Sequence, residues 1–196
     1  ALPICANAYK RVLNSFMNYE SLSKKKDIDY NFYTELQDKE LLFDENYLDL
    51  IVNNLLSNAF KYTPLGGTVS LSVQEYENSV MILISDTGIG IAEENLNKIF
   101  DRFYQVDSLD NQKGTGIGLA LAKSIIEAHK GKIGARSREG KGTTFVVELP
   151  LGDSHISASQ KVETPDIDSY CISLLKMDDE KITEEIPEDE NSDRTE

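Results

Sequence analysis

The chain has 196 residues, 40% of them hydrophobic, and a formal charge of −14, which supplies one core and argues against binding nucleic acid through a basic face. No apolar run approaches the roughly 18 residues that a membrane span needs. Cys5 and Cys171 stand far apart without a CxxC or a histidine partner, which excludes a disulfide framework or zinc module and fits a reducing compartment. The opening Ala1-Leu2-Pro3-Ile4 has neither the basic nor the apolar region of a signal peptide. Residues 151–196 hold 14 acids against 4 bases, so the charge sits mainly in the tail and the body is ordinary.

Residues 7–23 predict an amphipathic helix, with Val12, Phe16 and Tyr19 at helical spacing. Lys24-Lys25-Lys26 reads as a solvated turn. Residues 28–34 alternate at period two and Glu40–Phe43 forms a second short strand, so 28–43 reads as a hairpin. Asp44 then caps a helix to about Tyr62, whose buried stripe is Leu48, Ile51, Val52, Leu55, Leu56 and Ala59. Pro64 and Gly66-Gly67 end it. Thr68–Tyr76 and Val80–Asp86 are two strands joined by a polar turn, Asp86–Gly90 is a glycine-rich turn, and Ala92–Phe100 reads as a short helix. Residues 101–116 read as a mobile loop. A helix follows from Ile117 to about His129, with Leu121, Ala122, Ile125 and Ile126 inward. Gly131–Ser137 and Thr143–Leu149 are closing strands. Strands in antiparallel pairs with helices between them favour an α+β two-layer sandwich over a doubly wound sheet. Pro150 closes the domain. Within the acidic tail, residues 167–177 suit a short strand or helix, and 178–196 read as disordered.

Three clusters carry chemistry. Asn54, Asn58, Lys61 and Tyr62 share one stripe of the long helix. A carboxamide oxygen suits Mg²⁺ beside phosphates, and a lysine offers them a point charge. Alone, the stripe equally fits a polar helix edge. Asp86 ends an apolar strand and is followed by Thr87-Gly88-Ile89-Gly90-Ile91. A carboxylate there accepts from an exocyclic amine, and glycines let the backbone approach a flat ring; a β-turn with a capping Asp is the simpler alternative. The second carboxylate that an aspartic protease needs is missing. Gly114-Thr115-Gly116-Ile117-Gly118-Leu119 opens a helix, whose N-terminus offers N–H groups and a positive dipole end to phosphate. It is neither a Walker loop nor the dinucleotide fingerprint, because no glycine precedes Lys123 and leucine stands at position 119.

Together the clusters resemble the N, G1 and G2 boxes of the Bergerat-fold ATPases. Phe100-Asp101-Arg102-Phe103-Tyr104, between the second and third, resembles the F box of sensor histidine kinases. The resemblance covers about residues 7–150. It implies a mixed, mostly antiparallel sheet covered on one face by helices, with an ATP lid over about 92–113. It implies ATP and Mg²⁺ as ligands: Asn58 on the metal, Asn54 nearby, Lys61 and Arg102 toward phosphate, and these four in the catalytic machinery. Tyr62 would flank the adenine and Asp86 would accept from its amino group, with Gly88, Gly90, Ile91 and Thr143 around that pocket. Phe100 and Phe103 would anchor the lid in the core. Gly114, Thr115, Gly116 and Gly118 would approach the triphosphate above Leu119.

The implied activity is transfer of the ATP γ-phosphate to a histidine in two-component signalling. The family's acceptor histidine, with an acid and Thr-Pro after it, is missing from this chain. Residue 1 therefore reads as lying inside a longer protein, and the implied partners are a phosphoacceptor and dimerisation domain of the same kinase and a response-regulator receiver domain, in the same chain or another. A homodimeric full-length protein, membrane-anchored with this portion in the cytoplasm, is the implied setting. Neither nucleic acid nor membrane is an implied contact of this portion. Other classes the clusters allow are a non-catalytic ATP-sensing module and an anti-sigma-type serine kinase. Asn54 cannot take a proton; a glutamate there would point to ATP hydrolysis.

Overall fold

Apolar residues at every second position of three strands set the architecture. Val69, Leu71 and Val73, then Val80, Ile82 and Ile84, then Phe145, Val147 and Leu149 are all buried, while the residues between them are half-buried. That alternation gives the sheet one apolar face. The computed structural model describes residues 5–34, 40–42, 45–76, 78–106 and 115–151, all within the unit Ala1–Ala158. In chain order the elements are β1 (Cys5–Asn7), α1 (Ala8–Asn18), α2 (Glu20–Lys25), β2 (Asp29–Thr34), β3 (Glu40–Leu42), α3 (Glu45–Tyr62), β4 (Thr68–Tyr76), β5 (Ser79–Asp86), a 3-10 turn at Glu93–Asn95, α4 (Gly118–Ala128), β6 (Lys132–Arg138) and β7 (Gly142–Pro150). The main sheet has the order β2-β4-β5-β7-β6. Only β2 and β4 pair in parallel; the other neighbours are antiparallel. Helices pack on the apolar face, giving the expected two-layer α+β sandwich.

The stripe of α3 lies at the centre of the core. Leu48, Ile51, Val52, Leu55 and Leu56 are completely buried, with Ala59 and Phe60 almost so, and each large side chain contributes about 1.5–3 kcal/mol on leaving water. Ala122, Ile125 and Ile126 of α4 and Ala8 and Val12 of α1 join them; Leu121 is only half-buried. The C-terminal end of α3 is closed by Thr63, whose hydroxyl donates to Ala59 O at 2.6 Å, and by Lys26, whose Nζ donates to Phe60 O at 2.9 Å. Lys26 is thus a helix-terminal partner rather than part of a solvated turn, and burial lowers its pKa.

Three further expectations are corrected. Residues 28–43 are not a hairpin: β3 pairs with β1, and β2 pairs with β4 from Asp29 opposite Thr68. The two strands start at one corner, where Gly66 N–H donates to Asp27 O and Asp29 N–H to Gly67 O. Running the same way, they need a crossover, which β3 and α3 supply. The helix expected over Ala92–Phe100 is only the 3-10 turn Glu93–Asn95, continued by bonds such as Lys98 N–H to Asn95 O and Asp101 N–H to Lys98 O. The first helix breaks at Tyr19 into α1 and α2. The Asp44 cap, residue 43, lid residues 107–113 and the tail from 152 lie outside the described residues.

Candidate functional site

Asp86 ends β5, where the strand's last inward position meets a turn instead of core. Its Oδ1 accepts two backbone bonds, from Gly88 N–H at 2.8 Å and Thr143 N–H at 3.2 Å. Among the described residues nothing bonds Oδ2. Burial raises the pKa of this carboxyl, against those two N–H groups, which lower it. Gly88 packs on the last turn of α3: a side chain there would run into the Tyr62 carbonyl and Asp86 Oδ1, and the neighbouring Ile89 N–H donates to that carbonyl at 3.3 Å. The turn therefore needs glycine for close approach. Gly90 and Ile91 follow, Ile91 half-buried against the core.

The long helix brings its polar stripe to the same end. Asn54 is buried at 8% exposure, with Nδ2 donating to Leu50 O at 3.0 Å. That bond aims Oδ1 at the first residue of α4, and a side chain on Gly118 would collide with it. Asn58 and Lys61 are half-buried. Lys61 Nζ stands 5.4 Å from the ring of Tyr62, which is 41% exposed. At α4, no side chain among the described residues caps the N-terminus, and no acid lies in the first turn. The first-turn N–H groups keep their partial positive charge for an anion. Leu119 packs against the core below them.

Phe100 is half-buried and meets Phe145 edge-on at 6.4 Å. The expectation that Phe103 also anchors in the core is corrected: it is 73% exposed. Its φ of 64° turns the chain and throws the ring outward, while its N–H donates to Gly116 O at 2.8 Å. Tyr104 takes the inner place, packed on the core with its hydroxyl donating to Asn95 Oδ1 at 2.8 Å. Arg102 and Thr115 are exposed, and Gly114 lies outside the described residues.

Thr143 is buried beside Asp86, and Ser137 of β6 contacts it at 2.9 Å. Ser137 was missed from the sequence. Its signal was slight: a small polar residue at an inward position of β6, just before a turn with two glycines. No cluster of three His, Cys, Asp or Glu forms among the described residues. A cation here would need carboxamide oxygen and phosphate, the donor set that Asn58 and a triphosphate offer. No helix among the described residues is long and apolar enough to cross a membrane.

The profile of the histidine kinase-, DNA gyrase B- and HSP90-like ATPases matches residues 43–153. Histidine kinase P4 of Formosa agariphila is 36% identical over 199 residues, covering 95% of this chain and 14% of that protein. Sensor histidine kinase WalK of Bacillus subtilis is 40% identical over 146 residues, covering 71% of this chain and 24% of WalK. The chain thus spans less than a quarter of either relative. Among solved structures, the catalytic domain of histidine kinase ThkA superposes with a TM-score of 0.66 at 29% identity, over 76% of this chain and 95% of that one. ThkA in complex with response regulator protein TrrA gives 0.65 at 26% identity, over 76% of this chain and 42% of that one. Four of the five strands of the main sheet, the polar stripe of α3, the Asp86 turn and the start of α4 fall in the matched segment, and the chain belongs to the histidine kinase-, DNA gyrase B- and HSP90-like ATPase family.

Proposed function

We propose that this chain is the catalytic, ATP-binding domain of a sensor histidine kinase, which holds Mg·ATP and presents the γ-phosphate to a histidine on a separate dimerisation domain. The observation that carries the reading is Asp86: Oδ1 is fixed by two N–H groups and Oδ2 is left to accept from the adenine amino group. Gly88 keeps the floor flat, and Tyr62 flanks the ring. The uncapped start of α4, Lys61 and Arg102 face phosphate charge. Asn58 supplies an oxygen to Mg²⁺, which when bound neutralises charge on the phosphates.

Phosphoryl transfer asks mainly for such positioning and charge stabilisation. Asn54 cannot take a proton, so it activates no water as a general base, and the nucleophile comes from the partner domain. The names of the relatives support this division, and the ThkA–TrrA complex supports a response regulator as the downstream partner. The acidic segment 151–196 then serves as a linker or tail, and the domain works on the cytoplasmic side.

The fragment's own histidines are poor acceptors. His129 closes α4 with Nδ1 2.8 Å from Ile125 O, at the end of the helix away from the phosphate site. His155 lies outside the described residues. Incubation with γ-labelled ATP should leave the fragment unlabelled. Adding the dimerisation and acceptor domain from the same kinase should put acid-labile, base-stable phosphate on that domain. Stoichiometric acid-labile label on His129 or His155 of the lone fragment would overturn the proposal.

A further inference from the structure

Three polar contacts meet on one oxygen, Ser137 Oγ: Ile91 N–H at 2.8 Å, Gly142 O at 2.8 Å and Thr143 Oγ1 at 2.9 Å. A serine hydroxyl has one proton and two lone pairs. The Ile91 amide can only donate and the Gly142 carbonyl can only accept. The Ser137 proton therefore goes to Gly142, and Thr143 must donate its own proton to Ser137. What Thr143 Oγ1 has left is lone pairs. Beside it, Asp86 Oδ1 is filled by the N–H groups of Gly88 and Thr143, and Oδ2 is open. The row that runs from β6 through β7 to the end of β5 thus offers acceptors only. Gly142 is packed too closely on the Asp86 carbonyl for any side chain, which fixes the β6–β7 turn against Asp86.

We propose that Ser137 is a positioning residue for nucleobase choice: by taking the Thr143 proton it keeps the Thr143–Asp86 pair acceptor-only, so the site takes a purine with a 6-amino group and rejects one with a 6-oxo group. This rests on the nucleotide-binding reading above. Without Ser137, the Thr143 hydroxyl is free to turn and donate to a 6-oxo group. A merely structural Ser137, stapling the Ile91 turn to the β6–β7 turn, would weaken both classes of nucleotide alike. The ratio of affinities separates the two roles.

The test is calorimetric titration of the full chain with ATP and with ITP, both with Mg²⁺. Wild type should prefer ATP. Ser137→Ala should lower the ATP:ITP affinity ratio about tenfold, the scale of one hydrogen bond, while Ser137→Thr, which keeps the acceptor, should hold it. Thr143→Val should lower the ratio as well and Thr143→Ser should keep it, which gives a second route should Ser137→Ala not fold. An unchanged ratio in Ser137→Ala or Thr143→Val overturns the relay and leaves nucleotide binding standing. Failure of wild type to bind either nucleotide overturns the proposed function and the relay with it.

Discussion

Replacing Asp86 by asparagine should abolish tight nucleotide binding without harming the fold. Oδ1 already accepts from Gly88 N–H and Thr143 N–H at 2.8 and 3.2 Å, so the carboxamide oxygen of Asp86→Asn must take that place. The new NH₂ then occupies the Oδ2 position and faces the adenine amino group, donor against donor. Losing a charge-assisted hydrogen bond costs about 1.5–3 kcal/mol, and an unpaired buried donor about 1–3 kcal/mol more. Affinity should fall by at least about a hundredfold.

The ligand-free fold should respond in the opposite sense. Burial raises the Asp86 pKa, so its contribution to stability is present below the ordinary aspartate pKa of about 4 and is lost as pH rises through the raised value. At neutral pH the neutral asparagine removes that penalty, and the Tm of Asp86→Asn should equal or exceed wild type, with the gap closing as pH falls through this window. Wild-type ATP affinity should fall over the same window, because the protonated carboxyl is a poorer acceptor. Titration with a non-hydrolysable ATP analogue and scanning calorimetry from acid to neutral pH check both halves. Binding within about threefold of wild type, or a clear drop in Tm at neutral pH, would refute the reasoning.

Asn58→Ala should weaken ATP binding in the presence of Mg²⁺ and change it little in EDTA; equal losses in both, by calorimetry, would remove Asn58 from the metal. Gly118→Ala should cost about 1–3 kcal/mol by overpacking, because its methyl meets Asn54 Oδ1; urea unfolding should show part of that loss restored by adding Asn54→Ala. Phe100→Ala should lower Tm, while Phe103→Ala, a change at a 73% exposed ring, should leave it unchanged. Tyr30→Phe should raise stability by about 1 kcal/mol, since the Tyr30 hydroxyl is buried without a hydrogen-bond partner among the described residues, and thermal denaturation reads it directly.

Local periodicity determined much of this protein in advance. The stripe Leu48–Ala59 could only be a buried helix face, because apolar residues at helical spacing have one way to leave water together. The alternation of Thr68–Tyr76 and Val80–Asp86 fixed two strands and their inward residues for the same reason. The placement of the candidate site residues was legible too, since Asp86 ends β5, Gly118 begins α4, and Asn54 and Asn58 lie four residues apart on α3. Strand partners were not legible. Asp29–Thr34 alternates whether it pairs with Glu40–Leu42 or with Thr68–Val73, and the choice fell to the corner bonds from Gly66 and Asp29.

The course of residues 100–104 was decided by backbone geometry. Phe100 and Phe103 look equivalent in sequence, yet a left-handed turn at Phe103 exposes it and gives the inner place to Tyr104. Ser137 belongs to the same class. Its role follows from counting one proton among three atoms that Ile91, Gly142 and Thr143 bring from separate stretches of chain. Side-chain type and spacing are properties of the sequence, but the direction of a shared proton depends on which donors and acceptors surround it, and only the folded chain assembles them.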